Sequence, residues 1–285
     1  MTFAIQHRAS PVCTLDLTPD VSFAARNRMA LRDLAETARL WRLCWTLAWL
    51  DIRLRYRGSM LGPFWLTLST TAMVASMGVI YAILFHMGLR DYLPFLALSL
   101  VLWGYLSALV TDGCTSYTQL EGMVRSVRMP LSLYAARVVV RNLLVLAHNV
   151  VVIVAVYALL QVWPGAQVLF ALPGLALWLI DSLAVCLLLG AVCARFRDIP
   201  PIIGSIMQMA FFISAVIWKP SQLHAQAWML AFNPFFAMLE IVRAPLLGEL
   251  PELATWAAAL GFSAALCGAS WLLFARVRNR IAFWV

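Results

Sequence analysis

Six long apolar stretches constrain this chain more than any other feature of its sequence. A helix needs roughly 20 mostly apolar residues to cross the hydrocarbon core of a bilayer. The candidate spans are about 63–85, 94–114, 142–162, 169–193, 200–217 and 253–275. Hydrophobic residues make up 63% of the chain and charged residues 12%, which favours one polytopic domain over a soluble fold. The sequence therefore predicts an all-α integral membrane protein with six transmembrane helices.

The basic residues are distributed unevenly around the predicted spans. With the N-terminus inside, all but three of the 21 lysines and arginines fall on the inner side, the exceptions being Arg90, Lys219 and Arg243. An excess of basic residues in cytoplasmic segments is the positive-inside rule of membrane proteins. We therefore expect both termini to be cytoplasmic, and we interpret the net charge of +8 as a topology signal rather than a nucleic-acid-binding surface.

An amphipathic helix is predicted over 31–57, before the first span. Leu34, Trp41 and Trp45 share one face at helical spacing, and arginines lie largely opposite. The most apolar part of this segment is too short to cross a bilayer, and arginines beside tryptophans suit the headgroup region of a membrane surface. Residues 1–30 show no such period and predict a flexible cytoplasmic tail.

The only lysine, Lys219, excludes one route to ATP hydrolysis. A P-loop places a lysine between glycine and serine or threonine, and Lys219 is followed by proline. The sequence also lacks the H-E-x-x-H and G-x-S-x-G motifs of zinc and serine hydrolases. No catalytic residue, metal site or cofactor is predicted for this chain. If ATP drives the protein, we expect a separate subunit to hydrolyse it.

Residues 218–252 are apolar but are interrupted by prolines and glycine. Two pieces, about 225–232 and 235–247, are too short to cross a bilayer. Irregular backbone at membrane depth is tolerated only where protein or a wet cavity surrounds it. We expect either short re-entrant helices on the external side or an ordinary loop with two surface helices.

Ionisable residues leave two other functional classes open. Asp181 and His148 fall within predicted spans, where they could relay protons in a secondary carrier or form an interhelical contact. A membrane glycosyltransferase would need paired carboxylates on the external side. The candidates are Asp91, Glu240, Glu249 and Glu252, whose spacing places no convincing pair on one helical face.

Arg53, Arg55 and Arg57 form the best candidate ligand site. Guanidinium groups bind diphosphates through paired hydrogen bonds, and this segment lies where a lipid headgroup would reach the inner leaflet. The same arginines could instead serve only as topogenic anchors. Aromatic residues in the first and fifth spans could likewise contact sugar rings or simply pack against lipid and protein.

Four motifs together resemble the permease subunit of type-2 ABC exporters for O-antigen and related lipid-linked polysaccharides. In chain order they are Arg55–Trp65, Cys193–Pro201, Asn233–Phe236 and Glu240–Gly248. The resemblance covers about residues 35–285 and implies an ABC exporter transmembrane domain over 31–285. Its implied substrate is undecaprenyl-diphosphate-linked polysaccharide, moved from cytoplasm to periplasm across the bacterial inner membrane. Capsular and teichoic-type polymers remain alternatives.

The resemblance also implies partners and roles. The exporter would be a homodimer of this chain bound to two copies of a separate ATPase, which binds ATP and Mg. Helix 31–57 would be an interface helix, and 218–252 would hold short periplasmic gate helices. Arg53, Arg55 and Arg57 would bind the lipid diphosphate.

Two further sets of residues carry roles implied by this resemblance. The first and fifth spans would line the channel, with Tyr81, Phe85, Phe211 and Trp218 as lining residues. Segment Tyr117–Leu131 would be a coupling helix, and Arg195–Pro201 a second contact with the ATPase. The predicted docking residues are Glu121, Arg125, Arg128, Arg197 and Asp198.

Overall fold

The regular structure of the described residues is entirely helical. The computed structural model describes residues 22–60, 62, 64–127 and 129–285, with the side chains of residues 125, 224–228 and 231 excepted. Its α-helices are α1 Phe23–Arg39, α2 Trp41–Arg55, α3 Phe64–Leu84, α4 Leu89–Cys114, α5 Glu121–Ser126, α6 Leu131–Leu160, α7 Ala171–Arg195, α8 Ile199–Ile213, α9 Pro234–Leu246 and α10 Leu253–Trp284. Three 3-10 segments are Thr118–Leu120, Ala166–Phe170 and Pro220–Phe232.

Five helices in this part of the chain are long and apolar enough to cross a membrane. They are Phe64–Leu84, Leu89–Cys114, Leu131–Leu160, Ala166–Arg195 and Leu253–Trp284. These helices confirm the predicted all-α membrane character. The predicted span at 200–217 corresponds to α8, which has 15 residues and is therefore only about 22 Å long. Because a bilayer core is about 30 Å thick, α8 alone does not reach across it.

Two long helices extend beyond their apolar stretches. Helix α6 begins at Leu131, eleven residues before the predicted start, and α10 continues to Trp284 instead of 275. The first turns of α6 contain Ser132, Arg137 and Arg141, which are all buried. Polar side chains lower the hydropathy of this segment, yet their partners inside the protein allow them to be buried. Hydropathy alone therefore placed the start of α6 too late.

The N-terminal region forms two helices rather than the single predicted helix over 31–57. Helix α1 begins at Phe23, and the Ser22 hydroxyl accepts a hydrogen bond from the Ala25 amide at 3.3 Å. At Leu40 the backbone leaves the helical region, with φ −90° and ψ 23°, and α2 follows. Within the predicted tail, residues 23–30 are helical, while residues 1–21 lie outside the described residues.

Helix α4 forms the centre of the bundle and packs against α3, α6, α7, α8 and α9. Its Tyr105 ring stacks on Trp178 of α7, with centroids 5.4 Å apart and planes at 2°. The Tyr105 hydroxyl also bonds to the Ser182 hydroxyl at 2.7 Å. These contacts fix α4 against α7 and position both ends of the bundle.

The bundle has two chemically different ends. We call the end that holds α1, α2, α5 and the start of α6 the basic end. We call the opposite end, which holds α9 and residues 214–233, the far end. Helix α4 connects the two ends. Tyr92, in its first turn, contacts Ile217 at the far end. Gln119, just beyond its last turn, contacts Arg137 at the basic end.

Candidate functional site

The predicted diphosphate-binding arginines lie together at the end of α2. Arg53, Arg55 and Arg57 are all exposed, and the Arg53 guanidinium lies 5.7 Å from the centroid of the Trp49 ring. The C-terminal carbonyl groups of a helix favour nearby cations, which helps hold these charges here. Burial raises the pKa of the adjacent Tyr56 hydroxyl, to which Arg55 hydrogen-bonds. All three guanidinium groups are thus exposed to the surroundings of the bundle within a five-residue segment.

Buried ion pairs attach α2 to the bundle just before these arginines. Asp51 Oδ2 lies 2.9 Å from Arg137 Nη1 and 3.3 Å from Arg141 Nη1, both on α6. Arg137 is 2% exposed and Arg141 is 4% exposed, so both guanidinium groups are nearly withdrawn from solvent. From the positive-inside pattern alone, these arginines indicate only topology. Their spacing of four residues on one helical face was the signal that could have identified a shared partner.

The same network extends to the end of α4. Arg141 Nη2 lies 2.9 Å from Asp112 Oδ2, which also accepts a hydrogen bond from Asn142 Nδ2 at 3.1 Å. Gln119 Oε1 accepts from Arg137 at 3.5 Å and from Arg141 at 3.4 Å. The network thus joins α2, α4 and α6, and it fixes the position of the exposed arginines relative to the membrane helices.

A second carboxylate at the basic end joins α1, α6 and α10. Asp33, 1% exposed, accepts hydrogen bonds from the Leu131 amide at 3.1 Å and the Ser132 amide at 2.9 Å. These amides belong to the first turn of α6, so Asp33 caps a helix distant in sequence. Arg278 Nε of α10 donates to the same carboxylate at 2.7 Å. Three helices therefore meet at one side chain.

Two of the predicted docking residues share a cavity at the basic end. Glu121 and Arg197 both line a cavity of about 280 Å³. Its other lining residues are Cys114, Thr118, Cys193, Pro200 and Val285. Asp198, also predicted, precedes α8 and is exposed. Arg128 and the side chain of Arg125 lie outside the described residues.

The coupling segment that contains Glu121 is less regular than predicted. Instead of one helix within Tyr117–Leu131, a 3-10 turn over Thr118–Leu120 precedes the six-residue helix α5. The structure therefore brings together residues about 75 positions apart, on opposite sides of α6 and α7 in sequence. Glu121 and Arg197 therefore contribute to one concave surface at the basic end.

The predicted channel residues fall into two aromatic groups. Tyr81 and Phe85 stack with centroids 5.6 Å apart, and Phe85 meets Tyr92 edge-on at 6.0 Å. The Tyr92 hydroxyl donates to the carbonyl of Ile217 at 2.5 Å, next to Trp218. Three of the four predicted residues are therefore neighbours at the far end of the bundle.

Phe211 belongs to a different group. Its ring lies 5.9 Å from Trp103 of α4, which also meets Phe235 of α9 at 5.7 Å. The adjacent Phe212 is 60% exposed, whereas Phe211 is partly buried. Trp218 Nε1 donates to the Phe212 carbonyl at 2.9 Å and so folds back over the end of α8. Phe212 is the more outward-facing of the two residues, which sequence spacing alone did not reveal.

Arg243 organises the far end. It is 0% exposed, and its Nη1 donates to Ser99 Oγ at 2.9 Å and to the Ala215 carbonyl at 2.7 Å. Its Nε and Nη2 both bond to Glu240, and its guanidinium carbon lies 4.5 Å from the Phe95 centroid. Arg243 therefore joins α9 to α4 and to the turn after α8. The charge count had treated it only as one of three external basic residues.

Asn233 connects the end of α8 to the start of α9. Its Oδ1 accepts from the Phe235 amide at 3.0 Å and the Phe236 amide at 3.3 Å, which caps α9. Its Nδ2 donates to Ser214 Oγ at 3.0 Å. The Asn-Pro pair is thus a helix start, with Pro234 at the first helical position.

Asp181 and His148 have separate partners. Asp181 Oδ1 accepts from Ser263 Oγ of α10 at 2.5 Å, whereas His148 Nδ1 lies 2.7 Å from the Leu144 carbonyl of its own helix. Asp181 also lines an otherwise apolar cavity of about 320 Å³ between α4, α7, α8, α9 and α10. It therefore joins α7 to α10 and forms no relay with His148.

These features agree with the class of protein that the sequence comparison defines. The ABC-2 type transporter family matches residues 42–247, most of the chain. The chain therefore belongs to the ABC-2 type transporter family and is a membrane transport subunit. Its apolar helices and its family identify it as a multi-pass protein of the bacterial inner membrane.

Similar proteins are permeases of O-antigen export systems. The O-antigen export system permease protein RfbA of Myxococcus xanthus is 26% identical over 196 residues, which cover 66% of this chain and 74% of that protein. Two proteins of the same name from Klebsiella pneumoniae are 19% and 18% identical over 191 residues, with the same coverage.

Proposed function

We propose that this chain is the transmembrane subunit of an ATP-driven exporter that moves undecaprenyl-diphosphate-linked polysaccharide from cytoplasm to periplasm. The similarity to O-antigen export permeases supports an O-antigen-like cargo. The single structural observation that carries the proposal is the exposed triplet Arg53, Arg55 and Arg57, presented at the end of a helix that buried ion pairs attach to the bundle. Capsular or teichoic-type polymers are the alternative cargo within the same mechanism.

The proposed orientation places the basic end in the cytoplasm. The excess of arginine at this end supports it through the positive-inside rule. A lipid diphosphate in the inner leaflet would then reach the arginines of α2 without crossing the membrane. Each guanidinium can form charge-assisted hydrogen bonds to phosphate oxygens, and such bonds contribute about 1.5–3 kcal/mol each.

Residues 214–233 and α9 would complete the sixth crossing as short gate helices at the periplasmic side. Ala215, Val216 and Ile217 are buried, so this irregular backbone is covered by protein, as membrane depth requires. In the homodimer, the outward faces of α3 and α8 would face the partner and the cargo. Exposed apolar residues such as Ile83, at 72%, and Ile213, at 62%, supply these faces.

ATP and Mg would be bound by a separate ATPase, present in two copies. The cavity lined by Glu121 and Arg197 supports docking at the basic end, because it places an acidic and a basic side chain on one concave surface. Closure of the ATPase dimer would act on α5 and on the connection between α7 and α8. The secondary-carrier alternative receives no support from the geometry, since Asp181 and His148 have different partners.

The decisive experiment is reconstitution of this chain with and without the proposed separate ATPase subunit. With both subunits in proteoliposomes, we expect ATP-dependent transfer of a lipid-linked glycan and ATP turnover that rises with this substrate. A matched vesicle with the ATPase's catalytic residue replaced should transfer none. Transfer by the permease alone, in the absence of nucleotide, would refute the proposal.

The diphosphate site can be tested with Arg55→Ala combined with Arg57→Ala. We expect binding of undecaprenyl diphosphate to weaken at least about tenfold, because two charge-assisted contacts are lost. The matched control is Arg276→Ala with Arg280→Ala, which removes two exposed arginines from the same end of the molecule. Equal losses in the two double variants would indicate a general charge effect rather than a site.

The docking role can be tested with Glu121→Arg and Arg197→Glu. Either change should weaken association with the ATPase, and we expect uncoupled ATP turnover in whatever complex forms. Replacing Glu121, Arg125 and Arg128 together should likewise uncouple transport from ATP hydrolysis, and the same assay measures this. Normal coupling of transport to ATP hydrolysis in these variants would show that the cavity is not part of the docking surface.

A further inference from the structure

Two cysteines meet between α4 and α7 at the basic end. Cys114 is the last residue of α4 and Cys193 lies in the last turn of α7, and each is 2% exposed. The two side chains interact with each other, and both line the same cavity. Cys114 Sγ donates to the Val110 carbonyl of its own helix at 3.3 Å, which fixes the direction of this side chain.

The backbone packing of α7 keeps Cys193 facing the end of α4. Cys186, Gly190 and Cys193 follow at steps of four and three residues and share one helical face. A Cβ atom on Gly190 would lie 2.1 Å from Ser116 Oγ, which shows how closely this face contacts the chain after Cys114. Ser116 Oγ donates in turn to the Cys186 carbonyl at 3.4 Å. The close contact between α7 and the segment after α4 therefore fixes the backbone positions from which the two cysteine side chains extend.

The thiol pair opens onto the cavity of about 280 Å³ that Glu121 and Arg197 also line. Both cysteines therefore border the space that a small molecule in this cavity would occupy. Within the described residues, no cluster of three or more histidine, cysteine or acidic side chains forms a metal-binding group. The site therefore suits a soft centre that takes two sulfur ligands, rather than tetrahedral zinc with four ligands.

We propose that Cys114 and Cys193 form a dithiol site that captures trivalent arsenicals and thereby blocks ATPase docking at the same cavity. With phenylarsine oxide, two arsenic–sulfur bonds form and the arsenic–oxygen bond breaks. The oxygen leaves with the two thiol protons as one water molecule, and arsenic keeps its oxidation state. Two thiols held together bind far more tightly than one, because the second bond forms intramolecularly. The blocking effect rests on the proposed function, whereas the capture does not.

Capture is tested by intact-protein mass spectrometry after treatment of the purified chain with phenylarsine oxide and removal of excess reagent. We expect one retained adduct, with the mass of the reagent less one water, which dimercaptopropanol removes. Cys114→Ser and Cys193→Ser should each retain it about a hundredfold less. Cys44→Ser and Cys267→Ser are matched controls that should behave like the original chain.

The unmodified sequence provides a check that does not depend on the folding of variants. After arsenical treatment, denaturation and alkylation, Cys114 and Cys193 should be protected together while the other cysteines are alkylated. An adduct that is absent, or that protects other cysteines instead, would overturn the capture site.

Blocking is measured as association of the treated chain with the ATPase subunit. We expect the adduct to reduce association at least about tenfold, with recovery after dimercaptopropanol, and we expect Cys114→Ser to be insensitive. An adduct on both cysteines with unchanged association would overturn the blocking part. If the untreated chain fails to bind the ATPase, the proposed function fails instead, while the mass measurement still decides on capture.

Discussion

The two ends of the bundle bury arginine in different ways. At the far end, Arg243 satisfies all three guanidinium nitrogens with Glu240, Ser99 and the Ala215 carbonyl, and it is 0% exposed. At the basic end, Arg137 and Arg141 share Asp51, and Arg141 also pairs with Asp112. The partner carboxylates Asp51 and Glu240 are exposed to a similar extent, at 20% and 19%. Among the described residues, the Nε atoms of Arg137 and Arg141 have no hydrogen-bond partner. The far end thus satisfies one arginine completely, whereas the basic end distributes two arginines over several partners.

This difference has an energetic consequence. A buried charge that loses its partner has no solvent to replace it, so the cost of breaking such a pair is about 3–5 kcal/mol. Where several partners share the charges, the remaining partners replace part of the lost interaction, and the cost is smaller. The far end should therefore depend strongly on a few atoms. The basic end should tolerate the loss of single members of its network.

The largest effect is expected from Arg243→Met. This change leaves Glu240 without its partner and removes the donor to the Ala215 carbonyl, so the free energy of unfolding should fall by about 3–5 kcal/mol. Thermal unfolding in detergent measures the loss. Lys219→Met is the control, because the Lys219 ammonium lies over the same Phe95 ring at 5.7 Å but is only partly buried. A melting curve like that of the original protein would contradict the closed arrangement.

The double variant Glu240→Gln with Arg243→Met sharpens this test. Removing both charges avoids leaving the Glu240 carboxylate without its cationic partner, so the double variant should be less destabilised than Arg243→Met alone. An additive loss would indicate that the guanidinium acts through packing on Phe95 rather than through its charge.

A smaller effect is expected from Asp51→Asn. The amide retains one acceptor oxygen but loses the charge shared by Arg137 and Arg141, and a partly exposed site admits water. We expect a loss of about 1–3 kcal/mol in the free energy of unfolding. Asp198→Asn, at an exposed position, should change it by less than about 0.5 kcal/mol. A loss as large as that of Arg243→Met would erase the proposed difference between the two ends.

Packing at the basic end can be separated from charge with Gly190→Ala. The added Cβ would lie 2.1 Å from Ser116 Oγ and 2.9 Å from a ring atom of Tyr117, so α7 and the segment after α4 must separate. Overpacking of this kind costs about 1–3 kcal/mol. Gly104→Ala is the matched control, since nothing lies within 4 Å of its added Cβ and alanine favours helix by up to about 1 kcal/mol. Equal stability of the two variants would contradict the close contact.

The smallest effect concerns the Cys44 thiol on α2. Burial raises the pKa of this thiol to about 11 and Arg137 lowers it only in part, so the thiol is protonated at neutral pH. We expect maleimide labelling of Cys44 in the folded protein to stay slow through pH 9 and to accelerate only as the pH approaches the raised pKa. Fast labelling at pH 8 would mean that α2 leaves the bundle readily. The same measurement on Asp51→Asn would show how firmly the ion pairs hold α2.

Sequence reasoning recovered the features that depend on local composition. The long apolar runs predicted α3, α4 and α7 closely, and the short apolar piece at 235–247 predicted α9. Sequence reasoning failed where a side chain's partner lies far away in sequence. Arg137 and Arg141 looked like cytoplasmic charges, yet they bind Asp51, 86 and 90 residues away. Their four-residue spacing indicates a shared partner but not burial, which is why the start of α6 was misplaced.

The candidate sites show the same limit. The exposed positions of Arg53, Arg55 and Arg57 followed from an amphipathic segment, which sequence periodicity can detect. The meeting of Glu121 with Arg197 depends on how α4 and α7 end beside each other, and only the resemblance to a family anticipated it. Whether Phe211 or Phe212 faces outward depends on the rotation of α8 about its axis. The sequence does not specify this rotation, because apolar residues lie on all sides of α8.

The turn after α8 links movement of this segment to its hydration. Ala215 adopts φ 50°, in the left-handed region, and its carbonyl accepts from Arg243, while the Ile217 carbonyl accepts from Tyr92. If this turn moves away from α4 and α9, both oxygens lose their donors, and only water can replace them. Displacement of the turn therefore requires water to enter beside it. A displaced turn without water is costly, because the Ala215 and Ile217 carbonyls would lose the hydrogen bonds that stabilise the observed position.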